Sequence, residues 1–363
     1  MMQTQSLMRS TLIYCILFVT AAMSVMLYYS ATKTVNVADV AQDEVVSHVQ
    51  QEQQEQQESE AAIPVHTNEI KIDRNGQTSN YFCVPMPESV KAENVILENH
   101  YMNEELWVSI SSSEPKLFQD FYAANSVYGN IENVVDGHFE AGQERTCLRF
   151  ALNGVYEYRS IFENHILYVE FVPPKEVFEK VVVVDPAYGG EDTGVAAKDI
   201  VSKDITLNIA KALKAKFDES DIKVYYTRMD DSNPTAADRV KLSAATKADM
   251  LIRIEVSGNE NSKLYGTTAV YNSQFFIPGF GNVELADLLE REVVTSISGK
   301  AGGLLEAASE DKVIGEATVP AAAIRVGYLT NSQEAILLQR EDYIERIAEG
   351  IYNAVMKAYE KSE

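Results

Sequence analysis

Residues 181–190 read Val-Val-Val-Val-Asp-Pro-Ala-Tyr-Gly-Gly, and the reading of that decapeptide decides the fold. Four consecutive valines predict a strand buried on both faces, because β-branched side chains suit a pleated sheet and nothing polar interrupts them. The glycine pair marks a tight turn out of the strand. Beyond it, Ile205, Ile209, Leu213 and Phe217 recur every four residues and give a helix over 203–217 its apolar stripe. Strands are predicted at 222–227, 250–256, 267–271 and 321–327. Helices are predicted at 236–246 and 284–297, with two more at the C-terminus. Strands alternating with helices imply an α/β domain over 175–363, with a mostly parallel sheet flanked by helices.

The preceding region has a different rhythm. Glu105–Ile110, Cys147–Leu152 and Ile166–Phe171 are short runs rich in β-formers, with turn residues at Asn153-Gly154 and Glu163-Asn164. They predict a small antiparallel sandwich or barrel over 67–174, bounded by Pro173-Pro174. Trp107, the single tryptophan, is expected in its core. Cys83 and Cys147 fall here as well. Two cysteines are too few for a disulfide framework, and either a pair or two buried thiols fits the count.

At the N-terminus, residues 11–29 carry no charge and are dominated by side chains such as Leu12, Ile16, Phe18 and Leu27. Such a run spans roughly 28 Å as a helix, about one hydrocarbon core. A cleaved leader is the competing reading, but the apolar run continues past Ala22-Met23-Ser24 to Tyr28-Tyr29, which suits an uncleaved anchor. Arg9 ahead of the span places residues 1–10 in the cytoplasm and everything after it outside. Residues 30–66 include three Gln-Gln-Glu triplets from Gln50 to Glu58 and have no apolar stripe, so a flexible stalk is expected. The expected location is the cell membrane, crossed once, with the C-terminal domains extracytoplasmic.

Composition narrows the function. The 363-residue chain carries a formal net charge of −23, which excludes non-specific binding to nucleic acid. Its histidines (His48, His66, His100, His138, His165) and cysteines (Cys15, Cys83, Cys147) all precede residue 166. The α/β domain therefore lacks the two side chains that best hold zinc.

That lack matters because of what the domain looks like. Ordered motifs run from Val184–Gly190 through Lys203–Ala210, Tyr226-Thr227-Arg228, Asp238-Arg239 and Lys247-Ala248-Asp249. They continue with Tyr265-Gly266-Thr267, Val326–Asn331 and Ile347–Ile351. Together, over about Val181 to Tyr359, they resemble the zinc-dependent N-acetylmuramoyl-L-alanine amidases of bacterial envelopes, type 3. The resemblance implies zinc held by His, Glu and His, with a further Glu beside the attacking water. At those four places this sequence has Tyr188, Ser202, Glu255 and Arg325. A phenol, a hydroxyl, one carboxylate and a guanidinium do not supply a zinc ligand set or a catalytic base. The expectation is no intact catalytic residue and no metal, with Arg325 pairing with Glu255 in place of part of the lost zinc charge. Asp185, Glu191, Asp192, Asp204 and Glu255 offer oxygen donors of the kind calcium or magnesium takes, but with no regular spacing, and a solvated acidic loop is the simpler reading. Asp185 is expected to cap or orient the Gly189-Gly190 loop.

The β region bears a weaker likeness, through Leu148–Gly154 and Leu167–Phe171, to AMIN-type domains that precede some of these amidases and bind the cell wall. Three readings follow. The chain is a membrane-anchored, inactive amidase-like protein that binds or scaffolds peptidoglycan; or an active amidase cleaving the lactyl–L-alanine amide with altered ligands; or an adaptor that recruits an envelope protein through its β domain.

Overall fold

The computed structural model describes residues 68–362 apart from 77, 78, 113 and 143. The expected span at 11–29 and stalk at 30–66 lie outside the described residues. Among the described residues, no helix is long and apolar enough to cross a membrane.

The first half is built from β1 (Asn68–Glu69), β2 (Phe82–Pro85), β3 (Val95–His100), β4 (Glu105–Ile110) and β5 (Tyr128–Gly129). It continues with β6 (Val134–Ala141), β7 (Thr146–Leu152), β8 (Glu157–Glu163) and β9 (Ile166–Val172). They form two antiparallel sheets, ordered β1-β6-β7-β4-β3 and β5-β2-β9-β8. Alternation explains why the sheets stack: Leu106, Val108, Leu148 and Phe150 from one meet Phe82, Val84, Leu167 and Val169 from the other in a single core. The turn between β8 and β9 uses Asn164 and His165, both at positive φ, the backbone that a two-residue hairpin loop requires. Helix α1 (Pro115–Ala124), which the sequence pattern did not suggest, adds Phe118 and Tyr122 to the same core.

Trp107 is not in that core. Its neighbours Leu106 and Val108 point inward, so Trp107 lies on the outer face of the five-stranded sheet. There it stacks on His100 at 3.8 Å, lies under the Arg149 guanidinium at 4.2 Å and donates Nε1–H to Glu105 at 2.6 Å. Cys83 and Cys147 are buried and free.

A short helix, α2 (Pro174–Val177), leads into the second half. Its sheet contains β10 (Val181–Pro186), β13 (Lys223–Tyr226), β14 (Met250–Ser257), β15 (Thr267–Tyr271), β16 (Ala301–Glu306) and β17 (Ala321–Tyr328). Between β10 and β13 lies a minor hairpin of β11 (Ala196–Ala197) and β12 (Ile200–Val201). The order is β13-β10-β14-β17-β15-β16, and every neighbouring pair is parallel except β15 with β17. Helices α3 (Ser202–Phe217), α5 (Asn282–Ile297) and α8 (Glu341–Ser362) supply most of the core on one face. Helices α4 (Ala236–Ala245) and α6 (Lys312–Glu316) pack on the other, and α7 (Ser332–Leu337) follows β17. Strand β16 was not anticipated: its Ala-Gly-Gly-Leu-Leu-Glu lacks β-branched residues, and pairing with β15, Leu304 packed on the core and Gly303 N–H donating to Glu290 of α5 at 3.1 Å hold it.

Residues 67–363 form one compact unit. The two halves meet at the tip of the β3–β4 hairpin. Tyr101 Oη donates to the Tyr226 carbonyl at 3.0 Å and accepts from the Tyr226 N–H at 3.1 Å. One phenol thus satisfies both backbone groups of Tyr226 on β13, the edge strand of the second sheet. The Tyr101 ring stands edge-on to Tyr225, whose hydroxyl donates to Glu157 at 2.5 Å.

Candidate functional site: a ladder of ion pairs at the strand ends

The valine strand turns ionic at its carboxyl end. On β10, β14 and β17 the odd-numbered residues share one face: Val181, Val183 and Leu251 are apolar, and then come Asp185, Arg253, Glu255 and Arg325. Register places Asp185 opposite Arg253, and Glu255 opposite Arg325. Charged groups in the middle of a buried face demand partners, and each carboxylate oxygen has one. Asp185 Oδ1 takes Arg239 of α4 and Oδ2 takes Arg253. Glu255 Oε1 takes Arg253 Nε at 2.7 Å, and Oε2 takes Arg325 Nε at 2.9 Å. Arg239, Asp185, Arg253, Glu255 and Arg325 thus form a continuous ladder of alternating sign.

Electrostatics follows the geometry. Burial pushes the Asp185 carboxyl up, but Arg253 and Arg239 outweigh it and hold the group below the usual carboxylate range. Glu255 repeats the pattern: burial raises it, and Arg253 with Arg325 brings it below its ordinary value. Burial would lower Arg253, but Asp185 and Glu255 keep it above the ordinary arginine value. All three are charged at neutral pH.

The Asp-Pro-Ala-Tyr-Gly-Gly loop is clamped by two buried arginines. Arg228 donates to the Pro186, Ala187 and Lys203 carbonyls, each at 2.9 Å. Arg239 donates to the Tyr188 carbonyl at 3.0 Å and the Pro186 carbonyl at 3.1 Å. Gly189 sits at φ +138, where a Cβ would lie 2.1 Å from the Ser232 carbonyl oxygen, so the turn needs glycine for space as well as for torsion. Asp185 orients this loop only indirectly, through Arg239. Of the two expected roles, capping or orienting, it has the second: it caps none of the loop's N–H groups, and Gly190 N–H donates to the Asp231 carbonyl at 2.7 Å.

The four sequence-derived positions fare differently. Tyr188 is half-buried at φ +67, its ring against Gly194. Burial first, then the Glu255 charge, pushes its phenol up to about 12, so it is neutral and keeps its proton. Glu255 and Arg325 are paired as expected. Tyr188 senses the charges of Glu255, Arg253 and Arg325. Ser202 opens α3 but is buried with Oγ donating to the Val195 carbonyl at 3.1 Å. The alternative oxygen donors do not converge either. Glu191, Asp192 and Asp204 are exposed, whereas Asp185 is buried and committed to Arg239 and Arg253. Among the described residues, no three His, Cys, Asp or Glu side chains are grouped to hold a metal ion.

Sequence reasoning missed Arg253, Arg239 and Arg228, which carry most of the local charge. Arg253 left a signal: a lone arginine in an otherwise apolar strand, two residues from an acid, must be paired. Asp311 was missed too. It caps α6 through Oδ1, and its Oδ2 is buried with no hydrogen-bond partner among the described residues. Burial first, then Glu255, raises its pKa.

The sequence profile described as N-acetylmuramoyl-L-alanine amidase matches residues 182–357. This α/β domain belongs to the N-acetylmuramoyl-L-alanine amidase family. Curated relatives cover the same amidase-like half. YqiI of Bacillus subtilis is 29% identical over 182 residues, which are 50% of this chain and 86% of that protein. The germination-specific N-acetylmuramoyl-L-alanine amidase of B. subtilis is 26% identical over 196 residues, 50% of this chain and 80% of its own. The B. subtilis amidase LytC is 22% identical over 183 residues, which span 36% of LytC. A solved N-acetylmuramoyl-L-alanine amidase from Clostridium difficile 630 aligns over 51% of this chain and 98% of its own, at 29% identity and a TM-score of 0.48.

Proposed function

We propose that this protein is an amidase-fold, membrane-anchored protein that binds peptidoglycan and does not hydrolyse it. One observation supports the reading above the rest: both oxygens of Glu255 are engaged by arginines, at 2.7 and 2.9 Å. Each oxygen so engaged has only part of its accepting capacity left for a metal, and two guanidiniums beside the carboxylate oppose a divalent cation. The neighbouring donors do not compensate. Tyr188 is a protonated phenol and the Ser202 hydroxyl is turned to a backbone carbonyl. Arg325 cannot accept the proton of an attacking water. Zinc, implied by the family, does not suit this set of side chains.

In this reading residues 11–29 hold the chain in the cell membrane and 30–66 space the folded part from it, with the β region, AMIN-like in sequence, beside the amidase fold. The test combines two measurements on the full-length protein incubated with zinc. Metal content after dialysis should be far below stoichiometric, and dye-labelled walls should release no more dye than buffer does. Stoichiometric zinc with chelator-sensitive release would establish the active-amidase alternative instead.

A further inference from the structure

We propose that the outward half of the Arg325 guanidinium is a binding site for the free carboxylate of a peptide, a step that rests on the non-hydrolytic reading above. The ion-pair ladder begins and ends in arginine, and its two ends differ. At the inner end Arg239 is buried, and the carbonyls of Pro186, Tyr188 and Pro234 with Asn233 Oδ1 take up its remaining N–H groups. At the outer end Arg325 uses Nε for Glu255 at 2.9 Å and makes no other hydrogen bond or ion pair among the described residues. Its side chain is 33% exposed. Nη1 and Nη2 therefore present an unengaged fork held in place by its own anchored Nε.

The count of charges agrees. Three arginines face two carboxylates whose four oxygens are all taken, so the ladder carries one surplus cation within a chain of net charge −23. An end-on guanidinium fork matches the two oxygens of a carboxylate in plane. The surrounding acids select among anions. Asp311 and Glu255 both act on Arg325, and Asp192 acts on Tyr188, so a phosphate dianion meets more repulsion than a carboxylate does.

The test uses the full-length protein and three probes: N-acetyl-alanyl-alanine with a free carboxylate, the same peptide as its C-terminal amide, and inorganic phosphate. The free acid should saturate a single site, with the amide at least tenfold weaker. Arg325→Gln should weaken the acid at least tenfold, while Glu255 keeps its bond to Arg253. Arg325→Lys, which keeps the charge and loses the fork, should fall between, and it carries the comparison if the glutamine variant misfolds. Equal binding of acid and amide, unchanged binding by Arg325→Gln, or phosphate bound as tightly as the acid would each overturn the site. Wall hydrolysis with zinc is scored separately. Release of dye by the wild type sinks the non-hydrolytic reading whatever the peptide affinities are.

Discussion

Glu255 and Arg325 face each other in register across β14 and β17, and the same carboxylate holds Arg253 two residues before it on its own strand. One acid thus ties two arginines together, each through its own oxygen. Removing a partner should therefore cost different amounts at different rungs.

Asp185→Asn should be the most damaging rung. Asp185 is fully buried between Arg239 and Arg253, so its loss leaves the buried Arg239 without a carboxylate and Arg253 with Glu255 alone. A loss of about 3–5 kcal/mol in denaturant unfolding is expected. Arg325→Ala should cost only about 1 kcal/mol, because Glu255 keeps Arg253 and Arg325 is partly solvated. Equal losses at the two positions would contradict the ladder.

Acid should weaken the same network. Asp185 and Glu255 both have folded-state pKa values below their unfolded ones. Their contribution is complete above the unfolded value, about pH 4, and drains as pH falls through the lower folded values. Unfolding free energy measured from pH 7 to pH 2 should drop mainly below about pH 4, and Asp185→Asn should flatten that drop.

Asp311 should behave in the opposite sense. Its pKa is raised by burial and by Glu255, so its charged form is a burden on the fold at neutral pH. Asp311→Asn keeps the Oδ1 cap on α6 and removes that charge. A gain of about 1 kcal/mol is expected at pH 7. The gain should vanish below about pH 4, where the wild-type side chain is protonated in both states. Denaturation at the two pH values checks both halves.

Tyr101→Phe tests the seam between the two halves. Without its hydroxyl, the N–H and the carbonyl of Tyr226 both lose their partner. A loss of about 1–3 kcal/mol is expected, with faster hydrogen exchange confined to β13.

Much of this was legible because period and partner coincide in the chain. The four valines, the stripe on α3 and the strand that carries Glu255 gave element type and sheet directly, and the Glu255–Arg325 pair followed once the two positions were aligned. Trp107 was misplaced because its inward or outward direction depends on strand register, which composition does not reveal. Strand β16 was invisible because two glycines and two leucines carry no β-signal of their own, and tertiary pairing with β15 makes it a strand. Arg239 and Arg228 stood in the sequence only as motif residues, since only the fold shows that a loop's carbonyls converge on them. For Ser202, the sequence located the residue but not its hydroxyl's turn toward Val195.

The double engagement of Glu255 has a consequence for mutational paths. Exchanging it alone for an imidazole would leave Arg253 and Arg325 facing a group that prefers neutrality beside them. Exchanging Arg325 alone for a carboxylate would set two like charges against one another across the ladder. Each single step away from the present arrangement starts uphill, so coordination chemistry is reachable at this spot only by several coordinated replacements.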